Sequence, residues 1–279
     1  MQSGLASRTA LGAAGHRAAH QVLEGGSIFA DPLALRILGT EADALIDEAK
    51  QEPRRRGLRL FIAVRTRFAE DALARAVEQG VRQLVVLGAG LDTYAYRTAL
   101  GDRLRIFEVD HPATQAWKRQ RLADASIPLP PRLTFAPVDF ERETLAHGLA
   151  VAGFDPAHPS FFTWLGTVPY LTDQAIFATL GYIVGLPGGA HVVFDYANPI
   201  ESVADPGARE AREILAARVA AAGEPLRTHF DTEVLRARLL GMGFRMVDDL
   251  GPAEIATRYF GKPNGASRGG GHVVRASTI

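Results

Sequence analysis

The segment from Leu84 to Asp110 carries the residues best placed for chemistry. A short β-branched apolar run leads into Gly88-Ala89-Gly90, where the missing glycine Cβ atoms let the backbone approach a ligand closely. About 20 positions later a second apolar run ends in Glu108-Val109-Asp110, and an acid at such a strand end can accept hydrogen bonds from ribose hydroxyls. The pattern predicts a nucleoside pocket at the carboxyl end of a sheet.

The spacing of the glycines indicates which kind of nucleoside fits. A dinucleotide fingerprint G-x-G-x-x-G starting at Gly88 needs a third glycine at position 93, where the chain has Thr93. The two glycines fit a ligand without a pyrophosphate, and S-adenosylmethionine is such a ligand. Two other functions stay open: an NAD(P)-dependent oxidoreductase with a degenerate motif, and a non-catalytic nucleoside-binding module. The purely structural alternative is a tight turn followed by a solvent-facing aspartate.

Three later strand ends add candidates. Asp139-Phe140 follows the third apolar run; its carboxylate could accept from an adenine amino group and its ring could cover the base, or Asp139 could cap the next helix. Trp164 ends the fourth run and is a candidate contact of the cofactor or of a flat acceptor, with burial in the core as the alternative. Asp195-Tyr196 ends the fifth run, and Tyr196 is a candidate acceptor contact.

The elements that must position these residues follow from hydrophobic periodicity. Residues 5 to 80 show helical spacing, and after Gly80 short apolar runs alternate with helical stretches, the pattern of a parallel sheet covered on both faces. We therefore predict an α/β fold with two parts: a helical segment, 1–80, and a doubly wound sheet, 81–279. Because a minimal sheet of this kind has no place for the helical segment, we expect it to fold over the ligand as a lid.

The chain resembles the leucine carboxyl methyltransferase family, and within it the bacterial S-adenosylmethionine-dependent branch that includes O-methyltransferases of polyketide carboxyl or hydroxyl groups. LGAGLDTYAYR at 87–97 and FEVDHP at 107–112 carry most of the resemblance. Weaker matches are Ser7-Arg8-Thr9-Ala10, Asp31-Pro32-Leu33-Ala34, Val64-Arg65-Thr66-Arg67-Phe68, Lys118, Val138-Asp139-Phe140 and Pro169-Tyr170-Leu171-Thr172.

The resemblance implies a Rossmann-like class I methyltransferase sheet of seven strands, the last antiparallel, with a helical N-terminal extension. It also implies that Arg65 pairs with the methionine carboxylate of S-adenosylmethionine and that Gly88, Ala89 and Gly90 line the cofactor. Asp110 would bind the ribose, and Asp139 with Phe140 the adenine. The chain departs from the family in one place: Trp164-Leu165-Gly166 stands where the family carries a glutamate.

The acceptor is less well defined than the cofactor. A carboxylate acceptor is already ionised near neutral pH, whereas a hydroxyl usually needs a general base. The candidate bases are His111, which could instead begin a helix, and Asp195 with Tyr196. The histidines form no H-E-x-x-H motif, so we expect no metal.

Composition narrows the partners. The 279 residues carry 31 basic and 31 acidic side chains and no cysteine, which excludes disulfides and a cysteine nucleophile and argues against a nucleic-acid partner. No apolar stretch reaches membrane-spanning length, and the N-terminus lacks a signal-peptide core. We expect a cytoplasmic enzyme with a small-molecule acceptor, bound to neither nucleic acid nor membrane, and the sequence leaves the oligomeric state open.

Overall fold

The computed structural model describes residues 7–100, 102–139, 142–203, 205–261 and 270–279, which contain a single seven-stranded sheet. The strands lie in the order β3-β2-β1-β4-β5-β7-β6, and β7 runs antiparallel to both of its neighbours. The predicted α/β fold is confirmed. The strands are β1 Gln83–Leu87, β2 Arg105–Asp110, β3 Leu133–Pro137, β4 Ser160–Trp164, β5 Ala190–Ala197, β6 Met246–Leu250 and β7 Gly271–Ser277.

Helices precede the sheet and connect its strands. Those of the described residues are α1 Arg8–Leu23, α2 Ala42–Gln51, α3 Arg56–Glu78, α4 Tyr94–Arg97, α5 Pro112–Asp124, α6 Leu145–Val151, α7 Asp173–Val184, α8 Pro206–Ala221, α9 Thr232–Met242 and α10 Pro252–Phe260. Short 3-10 helices lie at Arg36–Glu41, Pro53–Arg55, Val168–Tyr170 and Ile200–Ser202. The sequence predicted neither α8 nor α9. They bury only Val219 and the pair Leu235 and Leu239, so they present little of the apolar stripe that reveals a surface helix.

The two faces of the sheet are packed by different helices. Along β5, Val192, Phe194 and Tyr196 join the core on the side of α7 and α9. Val193 joins the core on the side of α3. Since successive side chains of a strand point to opposite faces, Asp195 faces α3 and Tyr196 faces away from it.

The helical segment before β1 is packed against the sheet through α3. Helices α1 and α2 contact each other, and α1 also contacts α3. Helix α3 in turn contacts β4, β5 and β7, so the helical segment and the sheet share buried surface. The division at residue 80 stays a prediction. Among the described residues, none of the helices combines the length and apolarity needed to cross a membrane.

Candidate functional site

The turn after β1 adopts a backbone that requires glycine at two positions. Gly88 has φ +63° and Gly90 has φ +43°, both in the left-handed region that residues with a Cβ seldom adopt. A Cβ on Gly88 would lie 2.3 Å from Thr167 Oγ1, and one on Gly90 would lie 3.0 Å from the Ala10 Cβ. The groups that approach these two glycines closely are therefore Thr167, which follows β4, and Ala10 of the first helix.

Asp110 connects the tip of β2 to this turn. Its Oδ2 accepts a hydrogen bond from Gly90 N at 2.6 Å and its Oδ1 one from His111 N at 2.7 Å. Burial raises the pKa of the Asp110 carboxyl, against the opposing effect of the two backbone donors. Because a carboxylate oxygen has two lone pairs, each oxygen can accept one further hydrogen bond from a ligand.

The next acid along the same strand has a different task. Glu108 is fully buried, with a carboxylate oxygen 2.7 Å from Lys118 Nζ and 3.1 Å from the donating hydroxyl of Tyr96. Burial raises the pKa of Glu108, and Lys118 opposes that shift. A carboxylate that is fully buried and paired inside the protein in this way is not presented to a ligand.

Arg65 lies at the carboxyl end of the neighbouring strands. It projects from α3, and its Nη1 donates to Asp195 Oδ2 at 2.7 Å. The other carboxylate oxygen of Asp195 accepts from Gly166 N at 2.6 Å. Gly166 has φ +72°, and a Cβ there would lie 2.7 Å from Arg65 Nη2. Within the described residues, Arg65 Nε is buried and has no hydrogen-bond partner.

Helix α1 lies directly over the glycine turn. Arg17 Nη2 donates to the Leu91 carbonyl at 2.5 Å, and Arg17 Nε lies 3.5 Å from Asp31 Oδ2. Asp31 Oδ2 also accepts from the Thr93 hydroxyl at 2.7 Å. The role of Arg17 was missed from the sequence, because an arginine in an alanine-rich helix resembles a solvated side chain.

Position 93 is thereby assigned to internal packing. Thr93 is only 1% exposed, and its hydroxyl is engaged with Asp31 and with Arg97 Nε at 3.1 Å. In a dinucleotide site this position carries the third glycine, which allows close helix packing next to a pyrophosphate. The chain instead uses it to attach the segment around Asp31.

The predicted adenine pair lies beyond β3. The Asp139 carboxylate is 3.6 Å from Arg142 Nε, and its carbonyl accepts from Arg142 N at 2.8 Å. The alternative that Asp139 caps the following helix does not hold, because α6 begins at Leu145 and its cap is Thr144. Phe140 lies outside the described residues. The adenine role of both positions stays a prediction.

The two candidate acceptor contacts lie on the face of the sheet opposite Arg65. Trp164 is 3% exposed and packs edge-to-face on Phe194, with ring centroids 6.4 Å apart. The Tyr196 hydroxyl donates to Asp249 Oδ2 at 2.6 Å, and its ring stacks on His272 at 4.8 Å. Burial next to Asp249 raises the pKa of Tyr196. The structure does not bring these side chains together with Arg65, and their acceptor role stays a prediction.

The candidate bases are engaged elsewhere. His111 is the N-cap of α5 and its Nδ1 accepts from Ala113 N at 3.2 Å, which agrees with its interpretation as a helix start. Asp195 is paired with Arg65. No group of three or more His, Asp or Glu side chains among the described residues is arranged to hold a metal ion.

The fold defines the class. A solved structure from Thermobifida fusca, titled "putative methyltransferase", matches 94% of this chain and 93% of its own with a TM-score of 0.53 and 19% identity. The sheet order and the antiparallel seventh strand are those of the Rossmann-like class I methyltransferase fold.

The sequence comparisons then define the family. The model of the leucine carboxyl methyltransferase family matches residues 10–184, and the chain belongs to this family. A Bacillus subtilis protein named "Putative S-adenosyl-L-methionine-dependent methyltransferase YktD" is 33% identical over 198 residues, which are 70% of this chain and 64% of that protein. A Streptomyces coelicolor protein with the same class of name is 37% identical over 174 residues, 60% of each chain. The matches thus span about three fifths of the relatives' length.

Proposed function

We propose that the protein is an S-adenosylmethionine-dependent O-methyltransferase that transfers a methyl group to a carboxyl or hydroxyl of a small, polyketide-like molecule. The observation that carries the proposal is the glycine turn bonded to Asp110 at the carboxyl ends of β1 and β2. It stands in a chain of the leucine carboxyl methyltransferase family, whose relatives carry methyltransferase names.

The residues present fit this cofactor on three points. The oxygens of Asp110 retain acceptor capacity for ribose hydroxyls. Arg65 Nε is a buried donor without a partner among the described residues, and the planar guanidinium suits a carboxylate such as that of the cofactor's amino-acid part. Thr93 is committed to Asp31, which supports a ligand without a pyrophosphate over NAD(P).

In this proposal the protein binds and aligns, and the bound cofactor supplies an electrophilic methyl group on its sulfonium. Gly88, Ala89 and Gly90 line the cofactor and Asp110 holds its ribose. Arg65 holds the carboxylate, and Asp139 with Phe140 receives the adenine. Correct alignment of the acceptor with the methyl group is the main contribution that residues of the chain can make to such a displacement.

The contacts favour a carboxylate as the acceptor. Each side chain that was predicted from the sequence as a general base has a partner within the protein. His111 caps α5, Asp195 pairs with Arg65, and Tyr196 donates to Asp249. A carboxylate needs no base because it is ionised near neutral pH. Trp164 and Tyr196 shape the acceptor side of the sheet in this proposal.

The helical segment 1–80 acts as a lid in this proposal, and the contact of Ala10 with Gly90 supports it. Removing residues 1 to 40 should weaken cofactor binding and abolish turnover, as measured by titration and by methyl-donor consumption. A truncated protein that bound S-adenosylmethionine and methylated its acceptor normally would sink the lid hypothesis.

Calorimetric titration with S-adenosylhomocysteine and with NAD tests the cofactor. We expect the first to bind and the second not to bind. A methyl-donor consumption assay against paired carboxylic acids and phenols then tests the acceptor, with turnover expected for the acids. Failure of S-adenosylhomocysteine at millimolar concentration together with binding of NAD would show that the proposed function is wrong.

A further inference from the structure

Arg65, Asp195 and Gly166 are joined by two short hydrogen bonds whose role the proposed function leaves unexplained. Three elements meet there: α3 contributes the guanidinium, β5 contributes the carboxylate, and the turn after β4 contributes a backbone N–H. Asp195 bridges the other two, with one oxygen 2.7 Å from Arg65 Nη1 and the other 2.6 Å from Gly166 N. The side chains of Arg65 and Asp195 are only 10% and 5% exposed.

This arrangement fixes the plane of the guanidinium as well as its position. Gly166 lies against the group, since a Cβ at that residue would be 2.7 Å from Nη2 and 3.3 Å from Cζ. Asp195 fixes the group at Nη1. A long arginine side chain normally loses considerable rotamer freedom when it binds a ligand, and here much of that loss occurs on folding.

One edge of the fixed group remains unused. Nε is buried and lacks a hydrogen-bond partner among the described residues, and a buried donor without a partner is costly. A carboxylate can meet a guanidinium in a planar, bidentate manner. The occupied Nη1 atom directs such a ligand to the other side of the group, where Nε lies.

The strand next to β5 has no acid at this end. Trp164-Leu165-Gly166 stands where the resemblance places a glutamate, and Leu165 packs with the apolar cluster on the α3 face. Trp164 is paired with Phe194 in the strand register, so Asp195 lies one step further along β5, beside Leu165. The negative charge facing α3 is thus supplied by the neighbouring strand.

We infer that Asp195 is a positioning residue that holds Arg65 with its Nε edge directed to the carboxylate of the cofactor's amino-acid part. The inference rests on the proposed function, since it assigns the ligand of Arg65 to that cofactor. It predicts that changing Asp195 weakens the binding only of ligands that have the amino-acid part. S-adenosylhomocysteine has the amino-acid part, and 5′-methylthioadenosine keeps the adenosine and the thioether without it.

The test measures the affinity of the full chain for both ligands in the wild type and in Asp195→Asn. We expect the variant to bind S-adenosylhomocysteine roughly 10-fold more weakly, the scale for losing a residue that orients a ligand-binding group. Its affinity for 5′-methylthioadenosine should stay within about twofold, because that ligand has no carboxylate to lose. Asp71→Asn is the matched control: Asp71 pairs with Arg67 on the same helix in an exposed ion pair, and both affinities should be unchanged.

A second variant covers the case in which Asp195→Asn does not fold. Asp195→Glu keeps the charge and moves the carboxylate by one methylene, so it should show the same selective loss. Equal weakening of both ligands in these variants, or unchanged binding of S-adenosylhomocysteine, would overturn the inference alone. A wild-type protein that binds neither ligand would overturn the proposed function and the inference with it.

Discussion

Acidic residues lie near the carboxyl ends of β2 and β6, toward opposite sides of the sheet, and their hydrogen-bond partners differ. At the β1–β2 end, the oxygens of Asp110 accept from two backbone N–H groups, and burial raises the pKa of its carboxyl. At the β5–β7–β6 end, Asp249 accepts from Tyr196 and pairs with His272. The acid at the first end is bonded to backbone N–H groups, whereas the acid at the second end is bonded to neighbouring side chains.

The second end is held together by its own side chains. His272 Nε2 lies 2.7 Å from Asn198 Oδ1, and the Asn198 amide donates to the Phe230 carbonyl at 3.1 Å. A fully satisfied network in a low-dielectric interior rigidifies its surroundings. The comparison teaches that an acid at a strand end need not belong to a ligand site, because bonds to neighbouring side chains can give it a structural role.

The largest effect should come from breaking the side-chain network at the β5–β7–β6 end. Asp249→Ala leaves His272 and the Tyr196 hydroxyl without their shared partner, and we expect a loss of roughly 3–5 kcal/mol in the free energy of unfolding. Urea denaturation measures it. The folded fraction should bind S-adenosylhomocysteine as the wild type does, and weakened binding would show that this end belongs to the cofactor site. Asp248→Ala removes the exposed neighbouring acid and should have little effect.

The next effect concerns the glycine turn. Gly88→Ala adds a Cβ 2.3 Å from Thr167 Oγ1 at φ +63°, and we expect a loss of about 3 kcal/mol in stability from strain and overpacking. Thermal unfolding measures it. Gly25→Ala is the matched control, because Gly25 has φ +62° and open space around it; it should cost about 1 kcal/mol. Equal losses at both sites would contradict the close contact with Thr167.

A smaller effect is expected on ligand binding at the β1–β2 end. Asp110→Ala should weaken the binding of S-adenosylhomocysteine by about 1–3 kcal/mol, because a ribose hydroxyl loses its acceptor. Calorimetric titration measures the change. Unchanged affinity would refute the assigned role of Asp110 and would remove the contrast between the two ends.

The smallest effect is the pH dependence of stability that His16, in the helical segment before β1, should cause. Burial, reinforced by Arg55, lowers the pKa of His16 to about 3. Between the unfolded value near 6.5 and that value, the unfolded chain binds a proton that the folded chain does not, so stability falls as the pH falls. His16→Gln should flatten this decline by up to about 1.4 kcal/mol in total between pH 6 and pH 5, as measured by urea denaturation at the two pH values.

The control for this prediction is an exposed histidine. His147→Gln alters a side chain that meets solvent, and its stability curve should run parallel to that of the wild type. A His16→Gln curve that also ran parallel would show that His16 takes up its proton within the fold. His16 would then make no contribution to the loss of stability at low pH.

Most of the fold could be predicted from the sequence, because the strands of a covered parallel sheet form continuous apolar runs. The glycine turn and the acid of β2 could be predicted for a similar reason, since both lie within one β1–β2 unit. The partners of Arg65 could not. Arg65 and Asp195 are 130 residues apart, and spacing along the chain contains no information about such a pair.

Tyr196 shows a second limit of sequence reasoning. Its position at a strand end predicts a contact with the acceptor, but it does not reveal that Tyr196 lies on the face opposite Arg65 with its hydroxyl beside Asp249 and His272. Which face a strand-end residue occupies depends on register, and a shift of one residue exchanges the faces. Only the assembled sheet determines that outcome.

The seating of α1 on the glycine turn has a consequence for the order in which the protein assembles. The bond from Gly90 to Asp110 joins residues 20 apart, whereas the bond from Arg17 to the Leu91 carbonyl joins residues 74 apart. Loop-closure entropy makes the longer connection less favourable by roughly 1 kcal/mol. We therefore expect the turn and its acid to form while the first helix is still undocked, with docking of α1 as a later folding event.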